Sequence, residues 1–311
     1  MTILVTGGGG YIGTNLVDKL LKMGKKVRVI DTFWFGNYLK KHKNLKTIKK
    51  DIHNCNVKDL KNVKTIFHLA SVANDPASNL DPKLTWEISC LGTLKLCQLA
   101  KKAKIKKFIF ASSGSVYGIK KEKKVHEKLS LVPISDYNKT KMIAEKVIEN
   151  YKNDFKCYMI RPGTVFGYSR RMRLDLMINI LTFHALTKNK ITVFGGKQIR
   201  PYIHIEDMTN LYLHLLKNNI APGIYNASAG NLSAMDTAKE IKKIITSCKI
   251  NIKKSNDPRS YRLSNNKIIK TGFKFNTSIS QGINELINFY KKGKIRDSKN
   301  AYSINFIKKL K

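Results

Sequence analysis

The sequence predicts an α/β fold, a doubly wound parallel sheet with a smaller mixed α/β lobe. Three observations predict it. Apolar runs of strand length alternate with helix-spaced runs over the first 160 or so residues. A glycine-rich turn joins the first of these strands to the first helix. Beyond residue 167 the alternation loses its regularity and turn signals such as Gly195-Gly196 and Pro222-Gly223 enter.

Taken in order, Ile3-Leu4-Val5 sits in a first strand, 2–6, and Asn15–Leu21 has the apolar spacing of a helix over 12–23. Between them stands Thr6-Gly7-Gly8-Gly9-Gly10-Tyr11-Ile12-Gly13. Glycines let the backbone turn tightly and approach a ligand, and the helix start offers unpaired N–H groups to an anion. Gly7, Gly10 and Gly13 therefore stand where a dinucleotide's pyrophosphate lies. A second strand, 26–31, ends on Asp31, at the separation of a carboxylate that grips an adenosine ribose diol. A carboxylate there repels a 2′-phosphate, so NAD is expected over NADP. Strands at 46–49, 64–69, 107–112 and 156–161, with helices near 82–103 and 136–152, continue the rhythm. Strands 64–69 and 107–112 are nearly all apolar, as interior strands of a parallel sheet are. Residues 1–166 are expected to form the dinucleotide-binding domain and 167–290 the substrate lobe, with 191–219 a candidate to return to the first domain. The last segment, 291–311, carries eight Lys/Arg and one Asp and reads as a mobile basic tail. Its Tyr302, Ile304 and Phe306 are available to pack on a partner.

Hydrophobic content of 42% is ordinary for a globular chain, and no apolar run approaches membrane-spanning length. The N-terminus enters a strand at once, so a cytoplasmic protein without membrane insertion is expected. Five scattered cysteines without a CxxC pair fit free thiols in a reducing compartment, and no metal site is expected. The net charge of +38 comes from dispersed lysines rather than an arm with interleaved aromatics, which reads as a solvated surface, not a nucleic-acid site. Such a field still attracts a small anionic ligand.

Tyr137 and Lys141 are four residues apart at the start of a helix and share a face. An ammonium beside a phenol favours phenolate, so a depressed tyrosine pKa and a general base near neutral pH are expected. Upstream, Phe108–Ser112 runs into the small-residue loop Ser113-Gly114-Ser115-Val116-Tyr117-Gly118 at the carboxyl edge of the sheet. On local chemistry Ser112, Ser113 and Ser115 all compete to hydrogen-bond a substrate hydroxyl. His68 belongs to a strand-end motif and His204 to a turn before Asp207; neither reads as a reacting group.

The glycine run, Asp31, Phe67-His68-Leu69-Ala70, the Ser-Val-Tyr-Gly loop and the Tyr137/Lys141 pair together resemble the extended short-chain dehydrogenase/reductase family, and within it NAD-dependent nucleotide-sugar epimerases and dehydratases. Arg161–Gly167, Arg200–Asp207, Asp257–Tyr261 with Lys267, and Gly272-Phe273 resemble later family segments, so the resemblance covers residues 1–290. It implies a Rossmann-type fold with Ser113, Tyr137 and Lys141 as the catalytic set. It places Gly7, Gly10, Tyr11, Ile12, Asp31, Asp51, Ile52, Leu69, Ala70, Ser71 and Pro162, with Tyr137 and Lys141, on NAD. Ser113, Ser115, Tyr137, Thr164, Asn179, Arg200 and Arg259 are implied to contact a nucleotide-diphosphate sugar, the two arginines gripping the diphosphate bidentately. Thr164 and Ser89 each stand where many relatives have Asn. Family dimers pair two helices per subunit, here 83–103 and 137–152, with Leu91, Leu94, Leu99, Met142, Ile143 and Val147 as apolar residues for that interface or for the sheet.

Relatives that dehydrate or decarboxylate the sugar carry acids just after the catalytic Ser/Thr. This chain has Gly114-Ser115. The resemblance thus implies simple redox at C4, as a 4-epimerase or, alternatively, a 4-dehydrogenase. Arg170–Asn179 (RRMRLDLMIN) resembles a branch that includes GDP-heptose 4-dehydrogenases and surface-polysaccharide epimerases, with Arg171 and Arg173 available to sugar or phosphate; otherwise it is a basic helix burying Leu174, Met177, Ile178 and Leu181. A catalytically silent dinucleotide sensor or RNA binder is the alternative of another class, and the intact Ser113/Tyr137/Lys141 set argues against it.

Overall fold

A computed structural model describes residues 2–255 and 260–310. Its main sheet has seven parallel strands: β1 (Thr2–Thr6), β2 (Lys26–Asp31), β3 (Leu45–Lys49), β4 (Val63–His68), β5 (Lys107–Ala111), β6 (Lys156–Pro162) and a last strand, Gly223–Ala227, in the order last-6-5-4-1-2-3. Between β6 and that last strand come β7 (Thr164–Phe166), β8 (Lys190–Phe194) and β9 (Ile199–His204), so the last strand is β10; β11 (Gly230–Ser233) and β12 (Lys249–Lys253) follow. β9 lies between parallel β7 and antiparallel β11, and β8 pairs in parallel with β12.

Alternation along each strand feeds two separate cores. Ile3, Val5, Val29, Phe67 and Ile109 face the helices Tyr11–Lys22 and Ile205–Lys217. Leu4, Ile30, Ile66, Phe108 and Phe110 face Gly92–Lys102 and Asp136–Glu149. Burying each of these large side chains contributes about 1.5–3 kcal/mol. Both faces are covered, which is why β4 and β5 read as unbroken apolar runs.

The helix expected over 82–103 is interrupted. Pro82–Trp86 passes through a wider π turn at Glu87–Leu91 before Gly92–Lys102. A side chain on Gly92 would begin 2.6 Å from Ile52 Cγ2, so glycine there lets the helix close on the 51–54 turn.

Two further expectations are corrected. Within 167–290, Ile205–Lys217, inside the stretch named as a candidate to return, packs on Tyr11–Lys22, but β10, outside that stretch, also leaves the lobe and pairs with β6 in the main sheet, register Gly223↔Tyr158 to Ala227↔Pro162. β10 is the edge strand there: it gains the parallel ladder to β6 and buries Tyr225, Asn226 and Ala227. The basic tail is also not a free end. It forms the helix Ser303–Leu310, buries Ile307 against Val72, Ala77 and Ile88, and stacks Phe306 on Trp34 at 4.6 Å. Lys308 is exposed while Ile307 beside it is buried, so a basic composition hides an apolar face.

All five cysteines are buried free thiols. Among the described residues no helix is long and apolar enough to cross a membrane, and no cluster of His, Cys, Asp and Glu is arranged to hold a metal ion.

Candidate active site

The carboxyl ends of β1, β2 and β4 open into a cleft floored by the glycine turn. Gly7 has φ +71°, and a Cβ there would lie 2.6 Å from the Ala70 nitrogen, so no side chain fits. A Cβ on Gly13 would meet the Gly7 carbonyl at 2.3 Å; its absence lets the helix start press against the turn. The result is a bare backbone cradle at a helix N-terminus, suited to a phosphate. Asp31 is fixed at its rim: Oδ2 accepts from the Gly9 N–H at 2.8 Å and Oδ1 from the Phe33 N–H at 2.7 Å. Burial raises its carboxyl above the usual range, and these two donors oppose that rise.

Gly7, Gly10, Tyr11, Ile12 and Asp31 all line this cleft. So do Asp51, Ile52, Leu69, Ala70 and Ser71. Asp51 also caps the short turn Ile52–Asn54 by accepting from the His53 N–H at 2.9 Å. Pro162 is not among the lining residues; it ends β6 beside the serine loop, its carbonyl 2.9 Å from where a Gly114 side chain would begin. The cradle and ribose carboxylate fit NAD.

Tyr137 and Lys141 stand just beyond, on the helix Asp136–Glu149, whose N-cap Ser135 accepts from the Asn138 N–H at 3.3 Å. Ser113 stands against the Tyr137 phenol and lowers its pKa. Ser113 caps the turn Gly114–Tyr117, and its Oγ is 2.7 Å from Ser115 Oγ. Ser115 in turn donates to Asn138 Oδ1. Of the competing serines, Ser113 is therefore the one on the phenol, while Ser112 turns away to Glu145 at 2.5 Å.

Lys141 Nζ donates to the Ala111 carbonyl at 2.7 Å and lies 6.0 Å from the Tyr137 ring centroid. Burial pulls its pKa down to about 7, and only the Glu145 charge opposes this. The expected depression of the Tyr137 pKa is not met by these residues alone. Burial raises the phenol, the Asp75 carboxylate adds to the rise, and Ser113 and Arg173 offset only part. The phenol needs a further cation, such as a bound nicotinamide, to ionise near neutral pH.

Behind the pair runs a buried polar chain that sequence reading missed. Arg161 donates from Nε and Nη2 to Glu145 at 2.9 and 2.5 Å, and from Nη1 to the Tyr117 hydroxyl at 2.7 Å. Tyr117 passes the chain to Asn226 Oδ1 at 2.9 Å. The available signal was the spacing: Glu145 is one turn beyond Lys141 on the same helix face.

The remaining predicted residues divide. Arg200 lines a separate cavity of about 620 Å³ with Gln198, Phe194, His184 and Lys253. Thr164 opens β7 opposite Tyr202. Asn179 is spent inside the protein: Oδ1 accepts from the Gly167 N–H, and Nδ2 donates to the Tyr11 hydroxyl and the Arg173 carbonyl. With both donor hydrogens used, it braces the cleft wall and has none left for a diphosphate, a correction to its expected role. Arg259 lies outside the described residues. Arg171 and Arg173 both line the cofactor cleft rather than the Arg200 cavity. Arg173 is held by Asp175 at 2.8 Å and interacts electrostatically with Tyr137. His68 is sandwiched between Thr6 Oγ1 at 2.7 Å and Thr93 Oγ1 at 2.9 Å, and burial lowers it to about 3, so it stays neutral. His204 is likewise lowered by burial, to about 4.

Fold and family together define an NAD-dependent enzyme that acts on sugar nucleotides. Residues 3–228 match the NAD dependent epimerase/dehydratase family, and the chain belongs to it. It is 28% identical to a UDP-glucose 4-epimerase of Lactobacillus helveticus over 289 residues, covering 84% of this chain and 87% of that protein. It is 36% identical to the uncharacterized UDP-glucose epimerase YtcB of Bacillus subtilis over 225 residues, 67% of this chain and 70% of that one. Among solved structures, UDP-glucuronic acid 4-epimerase from Bacillus cereus, in complex with UDP-glucuronic acid and NAD, superposes with a TM-score of 0.86 at 28% identity over 94% of this chain and 99% of the other.

Proposed function

We propose that this protein is an NAD-dependent nucleotide-sugar 4-epimerase in which Ser113, Tyr137 and Lys141 act on the sugar 4-hydroxyl. The observation that carries this reading is Ser113 set against the Tyr137 phenol beyond the cofactor cleft, with glycine and serine, not acids, at 114 and 115. Bound NAD supplies a reversible hydride acceptor at C4. Tyr137 takes the proton of the 4-hydroxyl and later returns it. Ser113 donates a hydrogen bond to the oxygen as charge develops. Lys141, anchored on Ala111, sets positive charge beside the phenol. Ser115 is tied to Asn138 and supplies no carboxylate for loss of water or carbon dioxide. The Arg200 cavity supports a nucleotide-diphosphate site, with Arg200 as its arginine. The 28%-identical UDP-glucose 4-epimerase supports a 4-epimerase, while the RRMRLDLMIN stretch keeps a 4-dehydrogenase as the second reading.

A homodimer is part of the proposal; Leu91, 53% exposed ahead of Gly92–Lys102, supports helix pairing. The test is incubation with a panel of UDP- and GDP-sugars, read by proton NMR at C4. Inversion at C4 without net change in NADH is expected, and Tyr137→Phe lowers the rate about 10²- to 10⁴-fold while NAD binding persists. Stoichiometric NADH with a released 4-keto sugar replaces the epimerase with the dehydrogenase. A fully active Tyr137→Phe refutes both.

A further inference from the structure

Residues 170–173 carry three arginines, two paired with carboxylates and one not. Arg170 is bidentate to Asp18, and Arg173 to Asp175. Arg171 lies between them and is 3% exposed, yet its Nε and Nη1 have no hydrogen-bond partner among the described residues. Its one bond, from Nη2 to Ser303 Oγ, is long at 3.5 Å. The guanidinium lies 3.9 Å from the Phe35 ring centroid. It lines the same cleft as the glycine turn and Asp31, and no carboxylate among the described residues comes within ion-pair distance of it.

A buried, unpartnered guanidinium is costly, and a fold tolerates it where an anion completes it. The cleft offers one chemistry for that anion. The glycine cradle suits the phosphates of a dinucleotide from one side, and Asp31 at the ribose end repels a phosphate on the 2′ position. We propose that Arg171 is an anion site facing the dinucleotide's diphosphate, with the C-terminal helix, through Ser303 and Ile307, as its outer wall. The planar fork matches two phosphate oxygens at once. Phe35 fixes its plane, and the tail keeps water from it, so the interaction acts in a low dielectric. The tail thus acquires a purpose: Ser303 binds both Arg171 and, through its N–H at 3.0 Å, Asp175. This assignment rests on NAD occupying the cleft described above.

Calorimetric titration of the full chain with NAD, NADP and adenosine tests it. Arg171→Met keeps the stem against Phe35 and removes the charge. NAD affinity is expected to fall about ten- to a hundredfold, with adenosine affinity changed less than twofold. Arg171→Lys, a charge without the fork, is expected to fall between. Without nucleotide, Arg171→Met melts at or above the parent temperature, because an uncompensated buried charge has gone; a merely structural arginine would lower it. NAD affinity within twofold of the parent overturns the assignment, as does an equal loss for adenosine, or a loss confined to NADP. A parent that binds no NAD sinks the cofactor placement and this assignment together, whereas a binding parent with an indifferent Arg171→Met sinks the assignment alone.

Discussion

Glu145→Ala should destabilise this protein out of proportion to the atoms removed. Glu145 and Arg161 are 3% and 2% exposed and share two hydrogen bonds, with Ser112 adding a third to the carboxylate. Truncating Glu145 leaves a guanidinium in the interior with Tyr117 as its remaining partner. Removing one member of such a pair costs about 3–5 kcal/mol, and orphaning Ser112 adds about 1–3 kcal/mol, partly overlapping. Domains are stable by only about 5–15 kcal/mol, so about a fifth or more of the total is at stake. Glu145→Leu combined with Arg161→Met removes both charges and should recover most of that loss, since a well-packed apolar pair often equals a buried ion pair. Urea unfolding followed by circular dichroism reads the midpoint of all variants against one slope. A midpoint shift worth under about 1 kcal/mol for Glu145→Ala at unchanged slope would refute the reasoning, as would a double variant no more stable than the single ones.

Three further outcomes are expected. Lys141 is held near pKa 7 by burial when folded, against about 10.4 unfolded, so between these values the unfolded chain binds the extra proton and stability rises with pH. Lys141→Met should therefore gain stability over the nucleotide-free parent most below pH 7 and progressively less toward pH 10; a gain that is flat or grows with pH contradicts the buried ammonium. Gly7→Ala forces a Cβ to 2.6 Å from the Ala70 nitrogen at φ +71°; it should cost about 1–3 kcal/mol in melting experiments and abolish measurable NAD binding, and retention of affinity within tenfold would count against the cradle. Asp31→Ser should shrink the preference for NAD over NADP about tenfold or more by removing a like charge, as read by paired titrations; an unchanged ratio removes Asp31 from the ribose site.

What was legible in the chain was local. The glycine turn, Asp31 at the end of β2 and the Tyr137/Lys141 spacing each encode their geometry within one strand–turn–helix unit, and the structure brings them to one edge of one sheet. What was hidden depended on distant segments. β10 joins β6 across an excursion of some sixty residues that no short-range pattern announces. The tail's helix is recognisable only against Trp34 and Val72, because eight basic residues mask the face that Phe306 and Ile307 present. Asn179 looked like a ligand donor because its position resembles one in the family, yet its donors were already claimed by Tyr11 and the Arg173 carbonyl. The phenol's proton affinity was misjudged for the same reason. A spacing of four reports proximity, but desolvation depends on everything else packed around the ring.

The five thiols give the molecule a built-in chemical clock. All five are buried, and burial lifts every one of them above its ordinary ionisation range. Only thiolate reacts with aromatic disulfide reagents, so colour released under native conditions measures how often each layer breathes open. Cys97 and Cys157 report the layer behind β4 to β6, Cys248 the neighbourhood of β12.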